Sequence, residues 1–131
     1  LVLLRKKKAN ESETTKDKFL DRVIISSGRA KISINTSEIF FIAAESPYIA
    51  IQTIDKKQLH TQTLKSILAQ LDPEKFVRIH KSTIVNLSKV SSYKSRLNGD
   101  YDIQLSNQQE LRLSRNYVDN FKRRFSDFQS S

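Results

Sequence analysis

The chain has 131 residues, 37% of them apolar, and a formal net charge of +9 from 23 Lys and Arg against 14 Asp and Glu. That size and apolar content suit one domain with one core and argue against a catalytic machine of two domains. The absence of cysteine removes disulfides, thiolate nucleophiles and zinc fingers together, and two histidines, His60 and His80, are too few for a convincing metal site.

The basic groups are unevenly placed. Residues 1–18 carry six basic and three acidic groups, residues 19–75 seven and six, and residues 76–126 ten and four. A merely solvated surface would mix its signs more evenly, so the excess in the tail and the second half points to a polyanionic partner.

Leu1-Val2-Leu3-Leu4, followed by Arg5-Lys6-Lys7-Lys8, reads in two ways. It is the last turn of a transmembrane helix leaving the bilayer on its cytoplasmic side, or a boundary or helical linker from another domain. Four apolar residues span nothing alone, since a span takes ~20. The lack of methionine marks a processed product or, as favoured here, a piece of something longer. Residues 9–18 have no aromatic or large aliphatic side chain to bury. Residues 1–18 are therefore expected to be a basic juxtamembrane or interdomain linker, residues 19–126 the domain, and residues 127–131 a short tail.

From Phe19 short apolar runs alternate with polar punctuation, the pattern of a mostly β domain. Val23-Ile24-Ile25 predicts a strand, Gly28 a turn, and Ala30 to Ile34 a second strand. Ile39-Phe40-Phe41-Ile42 does not alternate, which fits a central strand buried on both faces or a junction between sheets. After Pro47, Tyr48 to Ile54 alternates, and Asp55-Lys56-Lys57 turns the chain into Gln58 to Thr61. Thr63 caps a helix in which Leu64, Ile67, Leu68 and Leu71 form one apolar stripe, ended by Asp72-Pro73. Val90 to Arg96 and Tyr101 to Leu105 flank an Asn98-Gly99 hairpin turn, and Glu110 to Leu113 completes a meander. Val118, Phe121 and Phe125 at helical spacing, with Lys122-Arg123-Arg124 opposite, predict a short terminal helix with a basic face.

Phe76-Val77-Arg78-Ile79-His80-Lys81-Ser82-Thr83-Ile84-Val85-Asn86 is the most informative stretch. Read as strand, turn, strand, it puts Val77 and Ile79 on one face and Arg78 and His80 on the other. Lys81, Ser82 and Thr83 are thereby raised on a corner held from both sides by buried residues. Such a corner suits a groove reader, whose side chains must be placed before the nucleic acid arrives, though it also fits an ordinary solvated turn. No enzyme can be assembled: Gly28 and Gly99 are the only glycines, and His80 and Ser82 lack an orienting third group. No cofactor is implied.

Glu38-Ile39-Phe40, the Phe76 to Asn86 run, and Leu113-Ser114-Arg115-Asn116-Tyr117 ending in Phe125, in this order and spacing, resemble the LytTR DNA-binding domain of bacterial transcriptional regulators. The resemblance covers about residues 20–126. It implies a mainly β fold, an elongated stack of small antiparallel sheets with one or two short helices. Double-stranded DNA is then the partner, contacted by loops and not by a recognition helix. In the first implied contact loop Tyr48 stands at a variable base-reading position, with Ser46 on the DNA backbone. In the second, Lys81 enters the major groove, with His80 and Ser82 as phosphate ligands, or His80 as a structural partner within the sheet. In the third, Arg115 reads a guanine, with Asn116 on the backbone and Tyr117 partly buried. Asn86 is read as a turn former whose side chain fixes the corner. Arg78, Lys94, Arg96 and Arg112 read as solvated strand residues, with phosphate contact as the alternative.

The expected function is operator binding by a transcriptional regulator, as a dimer on direct repeats about one helical turn apart. The expected location is the cytoplasm, with a transmembrane segment or a receiver domain upstream. The alternative is a cytoplasmic interaction module in which Arg5 to Lys8 and Lys122 to Arg124 meet a protein or anionic lipid.

Overall fold

Alternating burial organises the first strands of the computed structural model, which describes residues 19–130. The expected linker over residues 1–18 lies outside the described residues. In β1 (Arg22–Ser27), Val23 and Ile25 are buried and Ile24 is exposed. Gly28, at φ +61°, turns the chain into β2 (Ala30–Asn35), and the two strands form a separate hairpin sheet. A side chain is strained at positive φ, so glycine suits the turn.

β3 (Phe41–Glu45), β4 (Tyr48–Gln52), β5 (Lys57–His60), β6 (Phe76–His80) and β7 (Thr83–Asn86) make a five-stranded antiparallel sheet in the order β5-β4-β3-β7-β6. Both of its faces are covered. On one, Ile42, Ile49, Ile51, Phe76 and Ile84 pack with the first hairpin and with Leu64, Ile67 and Leu71. On the other, Val77, Ile79 and Val85 meet the meander of β8 (Val90–Ser95), β9 (Tyr101–Leu105) and β10 (Glu110–Leu113). The Ile39 to Ile42 run is thus explained: Ile39 and Ile42 join the first cluster, and Phe40 and Phe41 join the second. Of the two arrangements expected for it, burial on both faces is the one found.

Helix α1 (Leu64–Gln70) begins at a reciprocal cap in which Thr63 Oγ1 accepts the Ser66 amide at 3.0 Å and Ser66 Oγ accepts the Thr63 amide at 3.3 Å. Helix α2 (Val118–Ser130) follows a 3₁₀ turn at Arg115–Tyr117. Phe121 is fully buried, and Phe125 and Phe128 pack beside it on the second cluster. The residues expected to form a tail from 127 are helical through Ser130. Among the described residues no helix is long and apolar enough to cross a membrane.

Two local expectations are corrected. Thr83 belongs to β7, so the corner narrows to Lys81 and Ser82. Asn86 lies at the opposite end of β7 from that corner and fixes a different turn. It is the buried polar residue among the described ones, 2% exposed, with Nδ2 donating to Ile39 O at 2.8 Å. Its Oδ1 accepts the Ser88 amide at 3.0 Å and the Ser88 hydroxyl at 2.9 Å, capping the 3₁₀ turn Leu87–Lys89 that leads into β8. Asn86→Ala would strand a buried carbonyl and remove the cap, so about 2–3 kcal/mol of stability should be lost, read as a lower urea midpoint. A midpoint unchanged from wild type would contradict that role.

Candidate nucleic-acid interface

The corner owes its shape to one irregularity. Arg78 pairs with Ile84 and His80 with Thr83, which leaves Ile79 as the extra residue of a bulge. Its side chain is fully buried, and its carbonyl accepts the Ser114 amide at 2.9 Å. His80 Nδ1 accepts the Ser82 amide at 3.1 Å, and the Ser82 hydroxyl lies 2.9 Å from the same nitrogen. Because an amide can only donate, Nδ1 is an acceptor, and the neutral ring carries its proton on Nε2. Arg78 folds back over the turn, Nε donating to His80 O at 3.0 Å and a second guanidinium nitrogen donating to Lys81 O. Arg78 is thus a clamp on the corner, in place of the solvated strand residue expected.

These bonds leave Lys81 as the corner's free cation: exposed, with no side-chain partner among the described residues. They also separate His80 from Ser82. His80 keeps an Nε2–H donor, whereas the amide of Ser82 is engaged and its hydroxyl proton is best directed to His80.

The β3–β4 turn stands beside the corner. Ala44 N–H donates to Ser82 O at 2.8 Å, extending the β3–β7 ladder to the turn itself. Ser46 and Tyr48 are both exposed on it, Tyr48 at 42%, so Tyr48 does not pack beneath the loop. On the outer side, His60 of β5 faces Ile49 of β4, and burial lowers its pKa from the ordinary value.

Arg115 is positioned from the other side. The Ser114 bond to Ile79 brings it to β6, and Asp100 Oδ1 accepts the Arg115 amide at 3.0 Å. Its aliphatic stem lies along Gly99, where an added Cβ would stand 3.7 Å from Arg115 Cβ and Cδ. The neighbouring arginines are engaged: Arg96 Nη1 with Asp102 at 3.0 Å and Arg112 Nη1 with Asp100 at 3.4 Å. The Arg115 guanidinium has no such partner and is exposed, as is Asn116, while Tyr117 is half-buried against the second cluster.

The three turns expected to carry contacts are therefore neighbours chained by two backbone bonds, Ala44 to Ser82 and Ile79 to Ser114. From them Lys81 and Arg115 extend unpaired cations. Asp100 and Asp102 were missed by sequence reasoning. The signal available was two carboxylates in the β8–β9 segment of an otherwise basic half.

A mainly β stack that presents free cations and an exposed tyrosine from adjoining turns offers the kind of surface a nucleic-acid-binding module needs. The family model of the LytTr DNA-binding domain matches residues 29–126. The chain belongs to that family of DNA-binding domains. The sensory transduction protein LytT of Bacillus subtilis is 23% identical over 126 residues, which are 93% of this chain and 52% of that protein. LytR of Staphylococcus epidermidis is 26% identical over 89 residues, 68% of this chain and 35% of that protein. The chain thus spans about half of these relatives or less. A solved LytTr DNA-binding domain of a putative methyl-accepting/DNA response regulator from Bacillus cereus superposes with a TM-score of 0.74 at 17% identity, covering 80% of this chain and 96% of that one. That likeness concerns the fold.

Proposed function

We propose that the domain binds operator DNA in a sequence-specific way, with Lys81 and Arg115 entering successive major grooves from one face of the duplex. The observation that carries this reading is the pair of unpaired cations on turns tied to one another through Ile79 and Ser114. Arginine offers guanine a two-pronged donor and lysine a single mobile one, so Arg115 is the stronger reader. Tyr48 contacts a base or the backbone beside them. His80, through Nε2–H, together with Ser46 and Asn116, contacts phosphate; Ser82 acts through His80 and joins them only if its hydroxyl turns outward. Two copies occupy direct repeats about one helical turn apart, and bridging two grooves from a rigid edge favours bent DNA. The regulators LytT and LytR are longer than this chain, which fits a receiver domain upstream and action in the cytoplasm, where the chromosome lies.

The membrane-surface alternative draws less support. Lys122 Nζ donates to Tyr101 OH at 2.7 Å and lies 4.6 Å from that ring's centre, while Arg123 donates to Asn120 Oδ1 at 2.8 Å. The helix's basic face is thus partly engaged within the domain.

Selection of duplexes from a random pool, followed by mobility shift in rising salt, tests the reading. The expected result is a repeated consensus, bound more tightly than its shuffled version. The logarithm of affinity should fall by about 0.9 per phosphate contact for each tenfold rise in salt. Equal affinity for selected and shuffled duplexes, or flotation on anionic vesicles without DNA binding, would overturn it.

A further inference from the structure

The β8–β9 turn carries a leucine that its own architecture does not use. Leu97 is wholly exposed, more than any other large apolar side chain among the described residues. Its neighbours all serve the turn. The Arg96 amide donates to Asp100 O at 2.8 Å, Asn98 Oδ1 accepts the Asp100 amide at 3.1 Å, and Gly99 takes φ +92°. The same turn is fastened sideways, because Asp102 holds Arg96, and Asp100 holds both Arg112 and the amide of Arg115. Leu97 therefore stands on a rigid base, two residues from the glycine beneath the stem of Arg115.

A leucine held in water gains by burial in a partner, and its nearness in the turn to the stem of Arg115 favours the duplex as that partner. The flanking cations Arg96 and Arg112 are matched by carboxylates, so the tip offers the duplex shape and apolar surface more than charge. The apolar group that a major groove displays is the thymine methyl. We propose that Leu97 is a further DNA-contacting side chain, which takes a thymine methyl next to the base met by Arg115. The proposal rests on the operator-binding reading above.

The test uses the whole chain and a duplex selected by the wild type from a random pool, with each thymine replaced in turn by deoxyuridine. Removing the contacted methyl should weaken wild-type binding about fourfold at one or two positions. Leu97→Ala should bind the thymine and uracil duplexes alike, while still preferring the selected duplex to a shuffled one. A wild-type thymine-to-uracil ratio retained by Leu97→Ala would overturn the proposal, as would the absence of any sensitive thymine. If the wild type itself does not distinguish selected from shuffled DNA, operator reading fails and the role of Leu97 falls with it. An exposed turn residue should leave the urea midpoint unchanged, so a loss specific to the methyl cannot come from unfolding.

Discussion

Arg115→Ala is expected to abolish most of the preference for a selected duplex over a shuffled one while leaving general DNA binding in place. A two-pronged guanine contact discriminates by about 1–3 kcal/mol, roughly 5- to 150-fold in relative affinity. The structure gives reason to expect a loss of reading without a loss of fold. The Arg115 backbone is held by Asp100, and the Ser114 amide by Ile79, through main-chain groups that alanine keeps. Its exposed guanidinium has no protein partner to strand. Competition titration with both duplexes at one salt concentration reads the ratio directly. An equal fall in affinity for both would make Arg115 a phosphate ligand and remove it from sequence reading.

Phe121→Ala should produce the largest loss of stability, about 3–5 kcal/mol, because a fully buried ring leaves a cavity as well as losing its own burial. Phe121 meets Tyr93 edge-on at 5.3 Å and stacks on Phe125 at 5.6 Å, with planes 9° apart. These rings join α2 to the meander, and α2 also packs on β6, the strand that ends in the Lys81 corner. Against a total of about 5–15 kcal/mol for a typical domain, such a loss would leave a large share of molecules unfolded near 37 °C. Urea titration should show it as a lower midpoint. A change under about 1 kcal/mol would mean that the second cluster closes over the gap or that α2 contributes little to it.

Much of the fold was legible because it depends on local pattern. A short apolar run and an alternating one marked the strands around Gly28, the Asn98-Gly99 pair marked the hairpin, and Thr63 with the Leu64 to Leu71 stripe marked α1. Val77 and Ile79 turn inward as alternation requires. The polar side of the same strand was harder. Arg78 and His80 share a face, which fits solvation, phosphate contact and a turn clamp equally well. The choice rests on where two carbonyls and one amide of the corner lie after folding. Asn86 showed the same limit: its turn-forming character was readable, but its burial was not, because the Ile39 carbonyl that accepts from its Nδ2 is 47 residues away.

By itself the sequence determined the mainly β class, the order of the elements, the basic excess and, through three motifs in register, the family. Periodicity and composition act over a few residues, and a motif holds its spacing along the chain. Only the tertiary structure decided which cations are free. Arg78, Arg96, Arg112 and Arg115 are one residue type in one basic half, and nothing local to each separates them. The bulge at Ile79 and the carboxylates of Asp100 and Asp102 do so, by engaging three of the side chains and leaving Arg115 exposed and unpaired on a turn bonded to the strand that ends at the Lys81 corner.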